Sequence, residues 1–120
     1  MADYSGGALR QEIPVPSKQH QPGDEMAGMW VVHVDVKDDD RYAEYIKGSS
    51  QVVAAHDGEF IARGGRYEQK EGKEYPRNVL VRFPTYEKAV AAYESDEYQA
   101  IVDIAKESSD RLFTILETDD

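Results

Sequence analysis

Between Met29 and Glu117 the apolar residues change period in a fixed order: two, then helical, then two in a pair of consecutive segments, then helical, then two again. Few folds accept that order. Met29–Val36 sets Trp30, Val32, Val34 and Val36 on one face of a strand and Met29, Val31, His33 and Asp35 on the other. Asp38-Asp39-Asp40 then supplies a cap and first-turn acids, and Tyr42, Tyr45, Ile46, Ser49, Val52, Val53 and His56 recur at helical spacing, which predicts a helix from about Asp39 to Ala55. Glu59–Arg63 predicts a second strand, resuming after Gly64-Gly65 through Arg66, Tyr67 and Glu68 as a bent extension.

Asn78–Phe83, with its Val-Leu-Val core, predicts a third, central strand that Pro84 ends. Thr85 caps a helix, and Ser95-Asp96 is a second start signal, so two short helices in series are expected. Tyr98, Ile101, Val102 and Ala105 form the stripe of the second. Arg111–Glu117 closes the chain as a fourth strand, with Leu112, Thr114 and Leu116 opposite Phe113 and Ile115.

The order β-α-β-β-α-β is the ferredoxin-like plan of the α+β class, a four-stranded antiparallel sheet with its helices on one face. The strands are apolar on both sides, so the uncovered face needs a partner or a ligand. A second copy placed face to face gives a dimeric α/β barrel, and a homodimer is the expected assembly.

Residues 1–26 have a different composition. Met1–Glu25 carries Gly6-Gly7, three prolines, three glutamines and only scattered aliphatic residues. Too little apolar surface is present to offset ordering entropy alone, so an N-terminal arm is expected, with Ile13-Pro14-Val15-Pro16 as its docking segment and 27–120 as the folded domain. A lid over the barrel mouth is one use for such an arm.

The net charge is −10; Arg10 and Lys18 against Asp3, Glu12, Asp24 and Glu25 put −2 in the arm and leave −8 on the domain. That field opposes nucleic acid and anionic membranes, and glutamates dilute the pairs Lys70/Lys73 and Arg63/Arg66. No window approaches the roughly 18 apolar residues of a membrane span. The absence of cysteine removes disulfides and thiolate chemistry and fits a cytoplasmic protein. His20, His33 and His56 are dispersed without metal-ligand spacing, so neither a metal nor a cofactor is expected.

Trp30 to Leu116 resembles the family catalogued as domain of unknown function 1330. The resemblance rests on Asp35 and Asp38, Tyr42 with Tyr45, the run from His56 to Gly65, Phe83-Pro84-Thr85, and the run Tyr93-Glu94-Ser95-Asp96-Glu97-Tyr98-Gln99-Ala100-Ile101. It implies a ferredoxin-like fold and a dimeric α/β barrel, and it implies no known reaction. Met29 stands where a tyrosine is usual in that family, and Ala105 where an arginine is usual.

Strand parity selects the candidate site. If Trp30, Val32 and Val34 face the helices, then His33 and Asp35 face the barrel, and regular alternation adds Arg63 from the second strand and Arg82 from the third. His33 is then a candidate general base, Asp35 its orienter, and Arg63 and Arg82 a clamp for an anion. A bulge in any strand would break this parity. Trp30, Tyr93 and Tyr98 are candidate ligand-contacting aromatics, although their spacing also suits the core.

The functional expectation is a cofactor-independent enzyme acting on a small anionic or phenolic compound in the barrel cavity, by proton abstraction, isomerisation or cyclisation. The rival is a non-catalytic homodimer that binds a metabolite or a protein, with His33, Asp35 and an arginine serving as an interface network.

Overall fold

The computed structural model describes residues 26–120. The expected N-terminal arm, apart from Met26, lies outside the described residues. The elements are β1 (Gly28–Val36), α1 (Asp39–Ala55), β2 (Glu59–Arg63), β3 (Arg77–Phe83), α2 (Tyr86–Glu94), α3 (Asp96–Gln99), α4 (Val102–Ser108) and β4 (Ser109–Glu117). The sheet order is β2-β3-β1-β4 and every pairing is antiparallel, a ferredoxin-like fold.

Local chemistry sets the boundaries. Asp38 caps α1 by accepting from the Arg41 backbone N–H at 3.1 Å, with Asp39 and Asp40 against the positive end of the helix. Thr85 caps α2 through the Lys88 N–H, and Ser95 caps α3 through the Tyr98 N–H. The expected second helix is divided, because the chain turns at Ala100 and Ile101 before α4 begins.

One face of the sheet is sealed. Trp30, Val32, Val34, Val79, Val81 and Phe83 pack against Tyr42, Tyr45, Val53, Ala89, Ala92, Tyr98, Val102 and Ala105 from the helices. The Trp30 indole N–H donates to the Ala89 carbonyl at 2.8 Å, so the largest core side chain is also polar-satisfied. Its ring lies 5.0–5.3 Å from Phe83, Tyr98 and Phe113. Each such aromatic pair contributes about 0.5–1.5 kcal/mol beyond area burial.

The opposite face is open. Met29, Val31 and Leu80 are half-buried there, while Leu112 and Leu116 remain 53% and 40% exposed.

The extension expected at Arg66–Glu68 does not form. Gly64 takes a left-handed φ of 75°, which turns the chain out of the sheet, and 64–76 contains no strand. Tyr67 bonds to Glu74, and Lys73 reaches across to Asp110.

Candidate functional site

The register of β2 decides where its arginine goes. Phe60 pairs with Val81 and Ala62 with Leu80, so Ile61 is an extra residue in β2 without a partner in β3. After this bulge Arg63 pairs with Val79, whose side chain lies beneath the helices. Arg63 therefore leaves the open face and reaches over the edge of the sheet to α1. Its guanidinium donates to the Ser50 hydroxyl at 2.6 Å and stacks 3.9 Å from the centre of the Phe60 ring.

Arg63 is one of three arginines lining a single cavity between α1 and the sheet. Arg77, from the start of β3, and Arg111, from β4, are the others, and Trp30, Tyr42, Tyr45, Ile46, Ser49 and Phe60 contribute to the wall. Among the described residues, no carboxylate lines it. In a chain of net charge −10, three cations share one cavity that no anion of the described residues lines. The cavity holds about 30 Å³ of space, enough for two or so waters at roughly 10–15 Å³ each.

Arg111 is the best-held of the three. Its two terminal nitrogens donate to the Tyr45 and Tyr98 hydroxyls, each at 3.0 Å, and those hydroxyls lie 2.7 Å apart. The guanidinium also sits over the Tyr45 and Phe113 rings, at 4.8 and 5.3 Å. Arg77 is held differently: its Nε is buried and has no hydrogen-bond partner among the described residues. Gly64 makes room for it, since a Cβ there would stand 2.7 Å from an Arg77 guanidinium nitrogen.

These contacts reshape the proton affinities. Burial pushes the Tyr98 hydroxyl well above the ordinary tyrosine value, with neighbouring Tyr45 adding to the rise and Arg111 opposing it. Burial likewise raises Tyr42, against the pull of Arg111 and Arg77. Burial taken alone would lower Arg111, but the Tyr45 and Tyr98 oxygens outweigh it and raise this guanidinium further. A neutral Tyr98 phenol beside a fixed Arg111 cation is the resting state.

The four residues expected to converge are divided between the two faces. His33 lies on the open face, where it pairs with Asn78 in register and its Nδ1 is 2.7 Å from the Asn78 Oδ1. The Asn78 amide donates its N–H to the Tyr75 carbonyl at 3.0 Å, which leaves Oδ1 as an acceptor and puts the His33 proton on Nδ1. Asn78 therefore orients His33; Asp35 is ion-paired to Lys37 at 2.9 Å. Arg82, also on the open face, pairs with Asp120 at 2.9 Å. Arg63 does not join them, because of the Ile61 bulge.

Trp30 lines the cavity, Tyr98 stands behind Tyr45, and Tyr93 packs 5.0 Å from the rings of both Tyr98 and Phe113. Arg77 and Arg111 were not among the expected residues, although a signal was present. Arg77 shares the parity of Val79, and Arg111 shares that of Phe113 and Ile115, the face that packs on the helices. Among the described residues, no group of three or more histidines and carboxylates is placed to hold a metal ion, and no helix is long and apolar enough to cross a membrane.

The chain belongs to the family described as domain of unknown function 1330, matched over residues 27–119. No curated protein matches it. Among solved structures, it is similar to a Rhodopseudomonas palustris protein of unknown function, with 15% identity, a TM-score of 0.64, and coverage of 78% of this chain and 83% of the other. It is similar to SnoaB, a cofactor-independent oxygenase from Streptomyces nogalater, with 9% identity, a TM-score of 0.56 and coverage of 78% and 93%. A dimeric ferredoxin-like protein of unknown function from Thermobifida fusca matches with 16% identity, a TM-score of 0.54 and coverage of 78% and 92%. Identities this low establish a shared fold.

Proposed function

We propose that this protein is a homodimer in which each subunit takes the oxygen head of a small anionic or phenolic compound into the arginine-lined cavity and acts on it without a cofactor. The observation that carries this reading is the convergence of Arg63, Arg77 and Arg111 on one cavity without a lining carboxylate among the described residues. Arg63 is exposed at the rim, but the Arg77 Nε and the Arg111 guanidinium are drawn into the protein without a paired anion, which is costly, and an anionic ligand offsets that cost. Positive charge fixed in a low-dielectric cavity also stabilises an enolate or phenolate, the intermediate common to proton abstraction, isomerisation and cyclisation. The likeness to a cofactor-independent oxygenase supports the reading at the level of fold.

In this reading the open faces of two sheets cover each other, burying Leu112, Leu116, Val31 and Leu80 and forming the barrel. The dimeric Thermobifida fusca relative supports that assembly. His33, Asp35 and Arg82 then belong to the subunit contact. One observation favours a non-catalytic variant, a metabolite-binding homodimer: neither imidazole nor carboxylate lines the cavity, so no conventional general base faces the ligand.

Native mass spectrometry of the protein from its own host, with Arg111→Met as the comparison, tests the proposal. The expected result is a dimer carrying an acidic or phenolic compound, lost in the variant while the dimer persists. A monomer, or a ligand retained equally by both proteins, overturns it. Turnover of the recovered compound by wild type separates the enzyme from the metabolite-binding variant.

A further inference from the structure

The triangle formed by Arg111, Tyr45 and Tyr98 has more protons than it can use internally. Each phenol brings one hydrogen, and Arg111 donates one to each oxygen. Only one phenolic hydrogen can occupy the 2.7 Å line between the two oxygens. Whichever phenol receives it accepts twice, from its neighbour and from Arg111, and its own hydrogen must point out of the triangle.

Burial decides which phenol that is. Tyr98 is 0% exposed, and its hydroxyl has no partner besides Tyr45 and Arg111 among the described residues. Leaving its hydrogen unpaired would incur the full desolvation penalty of a buried donor. Tyr45 lines the cavity, so its hydrogen has somewhere to go. Tyr98 therefore donates to Tyr45, and Tyr45 donates into the cavity.

Arg77, in the same cavity wall, brings a second donor: its buried Nε–H, which has no partner among the described residues. Of the other wall residues with a hydroxyl, Ser49 spends its proton on the Ile46 carbonyl, and Tyr42 lies against the Arg111 guanidinium. The geometry points to a ligand that arrives deprotonated, with two acceptor oxygens: Tyr45 is the specificity-determining donor of a carboxylate subsite that it shares with Arg77. This rests on the cavity reading above and narrows its ligand class to carboxylates. Tyr98 is a positioning residue, which fixes the direction of the Tyr45 proton.

Matched pairs test this in the full-length protein: acetate against acetamide, and benzoate against benzamide, by ligand-observed NMR and calorimetry. Wild type should bind the acids roughly tenfold or more tightly than the amides, since an amide N–H meets only donors. Tyr45→Phe should weaken acid binding by roughly tenfold or more, and Tyr98→Phe by less than about threefold. A merely structural role would move both variants alike, because both lose the same phenol–phenol bond. Acids and amides binding equally in wild type, or equal losses in the two variants, would overturn the carboxylate subsite and leave the cavity reading standing. Failure of both acids and both amides to bind wild type would overturn the two together.

Discussion

Arg63 stands opposite Val79 across the β2–β3 ladder, and that pairing puts its guanidinium on the helix side of the sheet. Phe60 and Val81 show the same parity, three residues before Arg63 on β2 but only two from Val79 on β3. The extra residue, Ile61, is 53% exposed at the sheet edge. A single bulge thus transfers a cation from the open face to the cavity.

Because the Arg63 head is exposed and held mainly by the Ser50 hydroxyl, Arg63→Ala should change folding stability by no more than about 0.5 kcal/mol. Anion affinity should fall, since one of three cavity cations is gone. Urea unfolding and titration with benzoate check the two halves; a large stability loss with unchanged binding would contradict this account.

Gly64→Ala couples backbone to site. A left-handed φ of 75° costs a non-glycine residue about 1–2 kcal/mol, and the new methyl would press on the Arg77 guanidinium at 2.7 Å. The variant should be destabilised by about that amount and should also bind anions less well. Gly65→Ala, with nothing near its Cβ position, is the control and should do neither.

Asp57 gives a pH signature. The Lys88 ammonium donates to it at 2.7 Å and, through that hydrogen bond and its charge, holds the Asp57 carboxyl below the usual value of 3.8. A depressed folded-state pKa contributes stability that is present above the unfolded value and lost as pH falls through the folded one. Asp57→Asn should therefore remove part of the stability loss below about pH 4 and keep the left-handed backbone that asparagine tolerates. Urea midpoints measured on either side of that pH read the difference; parallel curves for the two proteins would count against the pair.

Leu112→Glu probes the open face. Leu112 pairs with His33 in the ladder and is half exposed in the single subunit. A buried charge there, copied twice by symmetry, should dissociate the proposed dimer in sedimentation velocity. An intact dimer would place the subunit contact elsewhere.

The sequence by itself determined the order of strands and helical segments, α1 to the residue, β2 over Glu59–Arg63 though with an extension that does not form, and which faces of β1, β3 and β4 are apolar. These follow from period, caps and glycine breaks, all of which are local. It also carried two of the cavity arginines in plain view, since Arg77 and Arg111 share parity with buried strand residues.

Tertiary structure alone decided the rest. A bulge is a relation between two strands, and nothing within Glu59–Arg63 says that β3 will skip Ile61. The His33 partner was equally non-local, because Asn78 reaches it only through the β1–β3 register. The Arg111–Tyr45–Tyr98 triangle joins side chains 66, 53 and 13 residues apart. Periodicity places each of them on a buried face; only packing brings their polar ends within hydrogen-bond reach.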